Sequence, residues 1–294
     1  MRLPTAFLEN RKIQRIIFSI PTAIFSNEEK AFDFMKDIYG KGASCFYLPT
    51  LRHLQLFREL KQITEDESLT GICHLDAELG VSLLGKPLHQ FESKVISTLL
   101  RVLPPHESIK TLLPKQSSPD ILTQKEIDRI TFNPERLEKE LIHFNTTEIK
   151  FVLLNGRYGE WLLTLGRIDL IIKIVDWIRQ KGFIPIFAGQ WTTYFLPKAK
   201  SIDVAAYAVP INKKKSLFNL EKACELIKKF EKPVIALNPL ADGKLLRKSK
   251  EAFLFLFEEL KIHATIAEVS SMEELKRIME NMQGVHSVIP PRKA

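Results

Sequence analysis

The sequence predicts an α/β chain folded as one (β/α)8 barrel, the TIM-barrel architecture, with a helical insertion between strands three and four. Three observations predict it. Eight short apolar segments recur along the chain, rich in Val, Ile, Phe and Ala and without clean alternation, as expected of parallel strands buried on both faces. Helical patterns separate most of them at a spacing of roughly 20 to 35 residues per unit, enough for one crossover helix each. The last two units each pass from an apolar run through a polar turn into a helix. Pro233 to Lys244 breaks at Asn238-Pro239 and turns at Asp242-Gly243, and His263 to Leu275 breaks at Ser270-Ser271. A barrel places its active site at such turns, and often a phosphate or cofactor site after strands seven and eight.

The predicted strands are Arg15–Ser19, Ser44–Leu48, Thr70–His74, Lys150–Leu154, Ile184–Ala188, Val204–Val209, Val234–Leu237 and Ala264–Val269. Helical periodicity marks Asn27–Tyr39 through Phe32, Met35 and Ile38, and Leu51–Ile63 through Leu54, Phe57 and Leu60. Asp169–Gln180, Asn219–Phe230 and Ser249–Leu260 read likewise, with Gly40 and Gly182 at positions for helix C-terminal glycines. Trp191–Lys200 leaves room only for a reduced helical step.

The step from the third strand to the fourth takes about 80 residues, far beyond a single crossover. Residues 79–147 hold a helical segment, Gln90–Arg101, then a Pro-rich polar stretch, then Gln124–Ile130 and Pro134–His143, the last opened by Asn133 as cap. An insertion with its own helices after a strand end reads as a lid over the active face of a single domain spanning 1–294, a linker between two domains being the other reading.

Composition narrows the class. Of 294 residues, 45% are hydrophobic and 27% charged, ordinary for a globular chain. No apolar run approaches the roughly 20 residues that span a membrane, so no membrane association is expected. Three scattered cysteines, without Cys-x-x-Cys, argue against a disulfide framework and a structural zinc site and for a cytoplasmic location. The net charge is +8, with basic runs at Lys213–Lys215 and Arg247–Lys250. These are interleaved with Glu and read as a solvated face rather than a nucleic-acid surface, and the positive potential favours a small anionic substrate. The abundance of Lys, Glu and Ile is a thermophile-like composition.

Chemistry is sought just past each strand end. His74-x-Asp76-x-Glu78 is the densest cluster. In an extended strand a period of two turns all three to one side, where they could act as acid and base or hold a divalent metal. A structural role for His74 and a helix cap at Asp76 is the competing reading. Asn155-Gly-Arg157-Tyr158-Gly159 follows the fourth strand; its glycines admit a ligand and Arg157 could fork onto a carboxylate or phosphate. Gln190, Asn212 and Asn238 end strands five to seven as further substrate-binding candidates, and Glu268 ends strand eight as a catalytic candidate with His74 and Asp76. Gly243, Lys244, Ser270 and Ser271 are the candidates for a phosphate or cofactor. Ser270 or Ser271 with Glu273 or Glu274 makes a capping box, whose glutamates favour the helix but repel an anion. There is no phosphate-binding Gly-rich loop and no Gly-x-Ser-x-Gly elbow.

The two terminal units resemble the aldo-keto reductase barrel. Ile235 to Leu245 is similar to that family's seventh strand and its Pro-Leu-x-x-Gly turn, and Ala264 to Leu275 to its eighth strand and the helix that holds the phosphates of the nicotinamide cofactor. The C-terminal half, roughly 148–283, also resembles a group of bacterial and archaeal barrel proteins without assigned activity, through Pro210-Ile-Asn212 and Lys232 to Ala236. The first resemblance implies NADP-dependent reduction. That family works with an Asp, a Tyr, a Lys and a His, and this chain offers no matching set. Glu268 also stands where the cofactor turn usually has a small residue. The expected function is thus an enzyme acting on a small anionic metabolite, phosphorylated or not, at the C-terminal face, without standard aldo-keto reductase catalysis. The alternatives are a nicotinamide-dependent reductase-like enzyme and a non-catalytic ligand-binding or scaffold barrel.

Overall fold

The computed structural model describes residues 3–76, 80–102, 120–154, 156–214 and 219–282. Eight parallel strands close into a barrel: β3 (Ile16–Ser19), β4 (Cys45–Leu48), β5 (Thr70–Leu75), β9 (Ile149–Leu154), β10 (Ile184–Ala188), β11 (Ala206–Pro210), β12 (Val234–Leu237) and β13 (Ala264–Glu268), the last pairing back onto β3. These are the eight strands expected, within two residues at each end. Helices α1 (Glu28–Gly40), α2 (Leu51–Thr64), α7 (Ile168–Gln180), α9 (Leu220–Lys229), α10 (Ser249–Leu254) and α11 (Met272–Asn281) lie between strands. The reduced step after β10 is α8 (Thr192–Ala199), preceded in the chain by α6 (Gly156–Thr164) after β9. Gly182 takes a left-handed φ of 86° after α7, but at the end of α1 Gly42 does so instead, with φ 98°, because α1 runs through Gly40.

Strand alternation sorts the apolar residues into two cores. Ile17, Cys45, Ile72, Phe151, Ile186, Ala206, Ile235 and Ala264 fill the barrel. Phe18, Phe46, Cys73, Val152, Phe187, Tyr207, Ala236 and Ala267 face the helices. Because each strand is covered on both sides, its sequence lacks alternation although its side chains alternate. The same parity turns Ser19, Tyr47, His74 and Glu268 inward at the C-terminal end.

An N-terminal hairpin, β1 (Thr5–Leu8) and β2 (Arg11–Gln14), which the sequence reading did not include, plugs the opposite end. Its Leu8 and Ile13 are buried with the barrel-filling residues. Arg15 follows, fully buried, with its Nη2 donating to Ile262 O at 2.7 Å and its guanidinium 4.1 Å from the Phe257 ring.

The insertion carries helices, as expected: α3 (Glu92–Val102), α4 (Gln124–Asp128) and α5 (Pro134–Leu141), the last capped by Asn133. It also carries a three-stranded antiparallel sheet of β6 (Val81–Leu83), β7 (Lys86–Pro87) and β8 (Ile130–Phe132). Strands of two or three residues have no period to read, so the sequence could not announce them. The described part of the insertion packs along the outer wall. Phe132 meets Trp177 of α7 edge-on at 6.2 Å, Lys181 pairs with Glu138, and Arg58 of α2 donates through Nη2 to His143 O at 2.6 Å. No helix among the described residues is long and apolar enough to cross a membrane.

Candidate functional site

A cavity of about 480 Å³ opens at the C-terminal ends of β12, β13, β3 and β4. Ser19, Tyr47, Asn238, Asp242, Gly243, Glu268, Ser270 and Glu274 supply its polar surface, and Pro239, Leu240, Leu246 and Ile266 supply apolar walls. The described insertion residues do not line it.

The β12 turn forms one side. Asn238, Ala241, Asp242 and Gly243 all have left-handed φ, at 54°, 52°, 55° and 78°. Asn and Asp tolerate this region through local hydrogen bonds; Ala does not, so the turn stores strain of order 1 kcal/mol. The turn is closed on itself: Asn238 Nδ2 donates to Asp242 Oδ1 at 2.9 Å, and Asp242 N donates to Asn238 Oδ1 at 2.8 Å. Buried Asn212 braces it from β11, donating through Nδ2 to Asn238 O at 3.1 Å.

The start of α11 forms the facing side. Ser271 caps the helix, accepting from Glu274 N at 3.2 Å. Glu274 returns the contact to Ser270, taking both its backbone N–H and its hydroxyl at 2.7 Å. The amide and hydroxyl that could have met a phosphate are therefore already engaged by a carboxylate. Glu268 pairs in register with Ser19. Burial, with Glu274 and Asp242 nearby, raises the Glu268 pKa above the usual carboxylate value.

The floor is a hydroxyl–imidazole pair. Tyr47 OH lies 2.9 Å from His74 Nδ1, their rings edge to face. Burial pushes the Tyr47 pKa up and the His74 pKa below its ordinary 6.5, against a smaller upward pull from Asp76. Both groups are neutral at pH 7.

The candidates therefore separate. Asn238, Gly243, Glu268 and Ser270 line the cavity; His74 meets it through Tyr47, and Asp76 acts on His74 through its charge. Asn212 supports the turn from beneath, Ser271 caps the helix, Lys244 is exposed outside the lining, and Gln190 lies exposed after β10. Asn155, the Arg157 side chain and Glu78 lie outside the described residues. Among the described residues no three His, Cys, Asp or Glu side chains form a metal-binding group. The sequence reading assigned no role to Ser19, Tyr47 or Asp242, and Glu274 it saw only as a helix-capping residue.

The chain is a (β/α)8 barrel with a mouth cavity, and its fold is similar to that of solved aldo-keto reductases. An aldo-keto reductase from Bacillus halodurans, solved in its holo form, is similar over 97% of this chain and 90% of its own, at 13% identity and a TM-score of 0.60. A Pseudomonas aeruginosa protein described as an aldo-keto reductase matches at 12% identity and 0.58, covering 97% and 96%. A thermostable aldo-keto reductase in complex with the inhibitor epalrestat matches at 10% and 0.57, covering 94% and 92%. At such identities the likeness is one of fold. No protein-family model matches the sequence, and no curated protein does.

The nicotinamide dinucleotide that this architecture implies does not fit the described cavity. Among its described lining residues there is no Lys, Arg or His, three are carboxylates, and the Ser270 donors belong to Glu274. A pyrophosphate there would meet like charge and no cationic side chain.

Proposed function

We propose that this chain is a barrel enzyme performing acid–base chemistry on a hydroxyl or carbonyl group of a small metabolite in the mouth cavity. One observation carries the reading: the Tyr47 hydroxyl that lines the cavity is held 2.9 Å from the half-buried, neutral His74. A substrate hydroxyl, or a C–H beside a substrate carbonyl, can pass its proton to the Tyr47 oxygen while Tyr47 passes its own to His74 Nδ1, leaving an alkoxide or an enolate and giving an imidazolium faced by Asp76. Run backwards, the imidazolium protonates a developing alkoxide through Tyr47. The burial that lowers the His74 pKa keeps the base free at neutral pH. The carboxylate lining supports a neutral or cationic substrate over the anionic one expected from net charge.

Nicotinamide-dependent reduction is the second reading, favoured by an architecture shared over nearly the whole chain with aldo-keto reductases. Such a reduction needs the same proton donor, but the acid lining gives the cofactor no phosphate site.

The test is a panel of small ketones, aldehydes and hydroxy compounds in D2O, read by mass spectrometry for exchange beside the carbonyl, with and without NADPH. Cofactor-independent exchange that falls about 100-fold in Tyr47→Phe is the expected result, in the usual range for a positioned acid or base. Turnover indifferent to Tyr47→Phe would refute the relay. NADPH oxidation lost in that variant would establish the reductase reading.

A further inference from the structure

The lining of the mouth cavity is opposite in sign to the chain that builds it. The protein carries a net charge of +8, yet the charged residues in the described lining are Asp242, Glu268 and Glu274 alone. The lysines and arginine of the same turn, Lys244, Arg247 and Lys248, are exposed and outside the lining. Burial first, and the nearby charges of Glu274 and Asp242 second, raise the Glu268 pKa, and no cationic side chain of the described lining offsets them.

A second, independent feature points to an occupant. Ser19 is 4% exposed, ends β3 beside Glu268 in register, and lines the cavity. Its hydroxyl makes no hydrogen bond to a described residue and is left open to the cavity, since every fully buried side-chain oxygen among the described residues is partnered. Leu240, Leu246 and Ile266 give the same space an apolar wall.

We propose that this cavity binds an organic amine: an ammonium lodged between Glu268 and Asp242, with Ser19 Oγ as a further acceptor and an apolar body against the leucines. An ammonium donates three hydrogen bonds and accepts none, which suits a lining of carboxylates and a free hydroxyl. Inorganic phosphate and dinucleotides are excluded by the same charges. Glu274, committed to Ser270, adds field rather than a contact. The inference rests on the mouth cavity being the substrate site and names the class of substrate it takes.

The experiment compares three probes of one shape, cyclohexylmethylamine, cyclohexylmethanol and cyclohexanecarboxylate, by calorimetric titration of the full chain at pH 7.5. Inorganic pyrophosphate is the fourth probe. The amine is expected to bind at least tenfold more tightly than the alcohol, with the two anions not binding. Glu268→Gln should remove that preference, and Ser19→Ala should weaken the amine several-fold. Circular dichroism and melting temperature show that both variants fold. An alcohol that binds as well as the amine, a pyrophosphate that binds, or no amine binding overturns the amine class. Amine binding that neither variant changes means the ligand sits elsewhere, which overturns the site itself. If Glu268→Gln weakens alcohol and amine equally, the site stands and the amine class falls.

Discussion

Glu160 in α6 is 2% exposed, and its carboxylate accepts the Trp191 N–H at 2.7 Å, joining α6 to the start of α8. Burial raises its pKa to about 8 from the ordinary 4.5, outweighing the opposing pull of the Trp191 and Gln190 amides. Between those two values the folded chain holds a proton that the unfolded chain releases. Stability therefore falls with rising pH through this window, with no penalty below 4.5 and the full penalty above 8. At about 1.4 kcal/mol per unit, the penalty is about 3 kcal/mol at pH 7 and grows by about 2 kcal/mol between pH 6 and pH 8. Glu160→Gln keeps a carbonyl oxygen for the Trp191 amide and cannot ionise. The assay is urea denaturation of both proteins across pH 5 to 9. The expected outcome is a wild-type curve that drops about 2 kcal/mol more than the variant's between pH 6 and pH 8. Any cost of placing the amide NH2 appears as a constant offset and leaves this slope intact. Parallel curves would refute the reasoning, since Glu160 would then titrate alike in both states.

Three further outcomes are expected. The proton-abstracting activity of the Tyr47–His74 pair should be level above pH 6.5 and fall below it as His74 protonates, and Asp76→Asn, which removes the upward pull on His74, should move that fall to lower pH in a rate profile. Gly189→Ala should destabilise by about 2 kcal/mol in urea denaturation, because a Cβ there overlaps the Phe195 ring, whereas Gly40→Ala, with open space around it, should be neutral or stabilising. Ala241→Gly should raise stability by about 1 kcal/mol by relieving the left-handed φ of 52°, read as a rise in melting temperature.

The relay and the amine site divide the cavity. In the proposals made above, His74 and Tyr47 serve proton transfer, while Glu268, Asp242 and Ser19 serve recognition. The fold is similar to that of solved aldo-keto reductases, and the turn after its eighth barrel strand carries Glu268 and Glu274. Fold and chemistry are separable because the barrel is held by its two apolar cores, and the polar mouth residues Ser19, Asp242, Glu268 and Ser270 belong to neither.

The barrel itself was legible in the linear order of residues. A strand covered on both faces must be apolar throughout, and a helix on that sheet must carry a 3.6-residue stripe; Val234–Leu237 and Ile168–Gln180 obey these rules locally, whatever their neighbours. The turns at Asn238–Gly243 and Ser270–Ser271 were legible for the same reason, since Asn, Asp, Gly and Ser mark left-handed backbone and helix caps through their own chemistry. Only the tertiary structure decided the rest. The β1–β2 hairpin and the β6–β7–β8 sheet are too short to carry a period, and they are defined by what they pack against. Tyr47 and His74 are 27 residues apart and meet through the pairing of β4 with β5. Ser19 and Glu268 come from opposite ends of the chain and become neighbours when β13 closes the barrel on β3. Local sequence sets the elements because backbone preferences are local; the chemistry of a site is set by distances across the closed barrel, which no single segment contains.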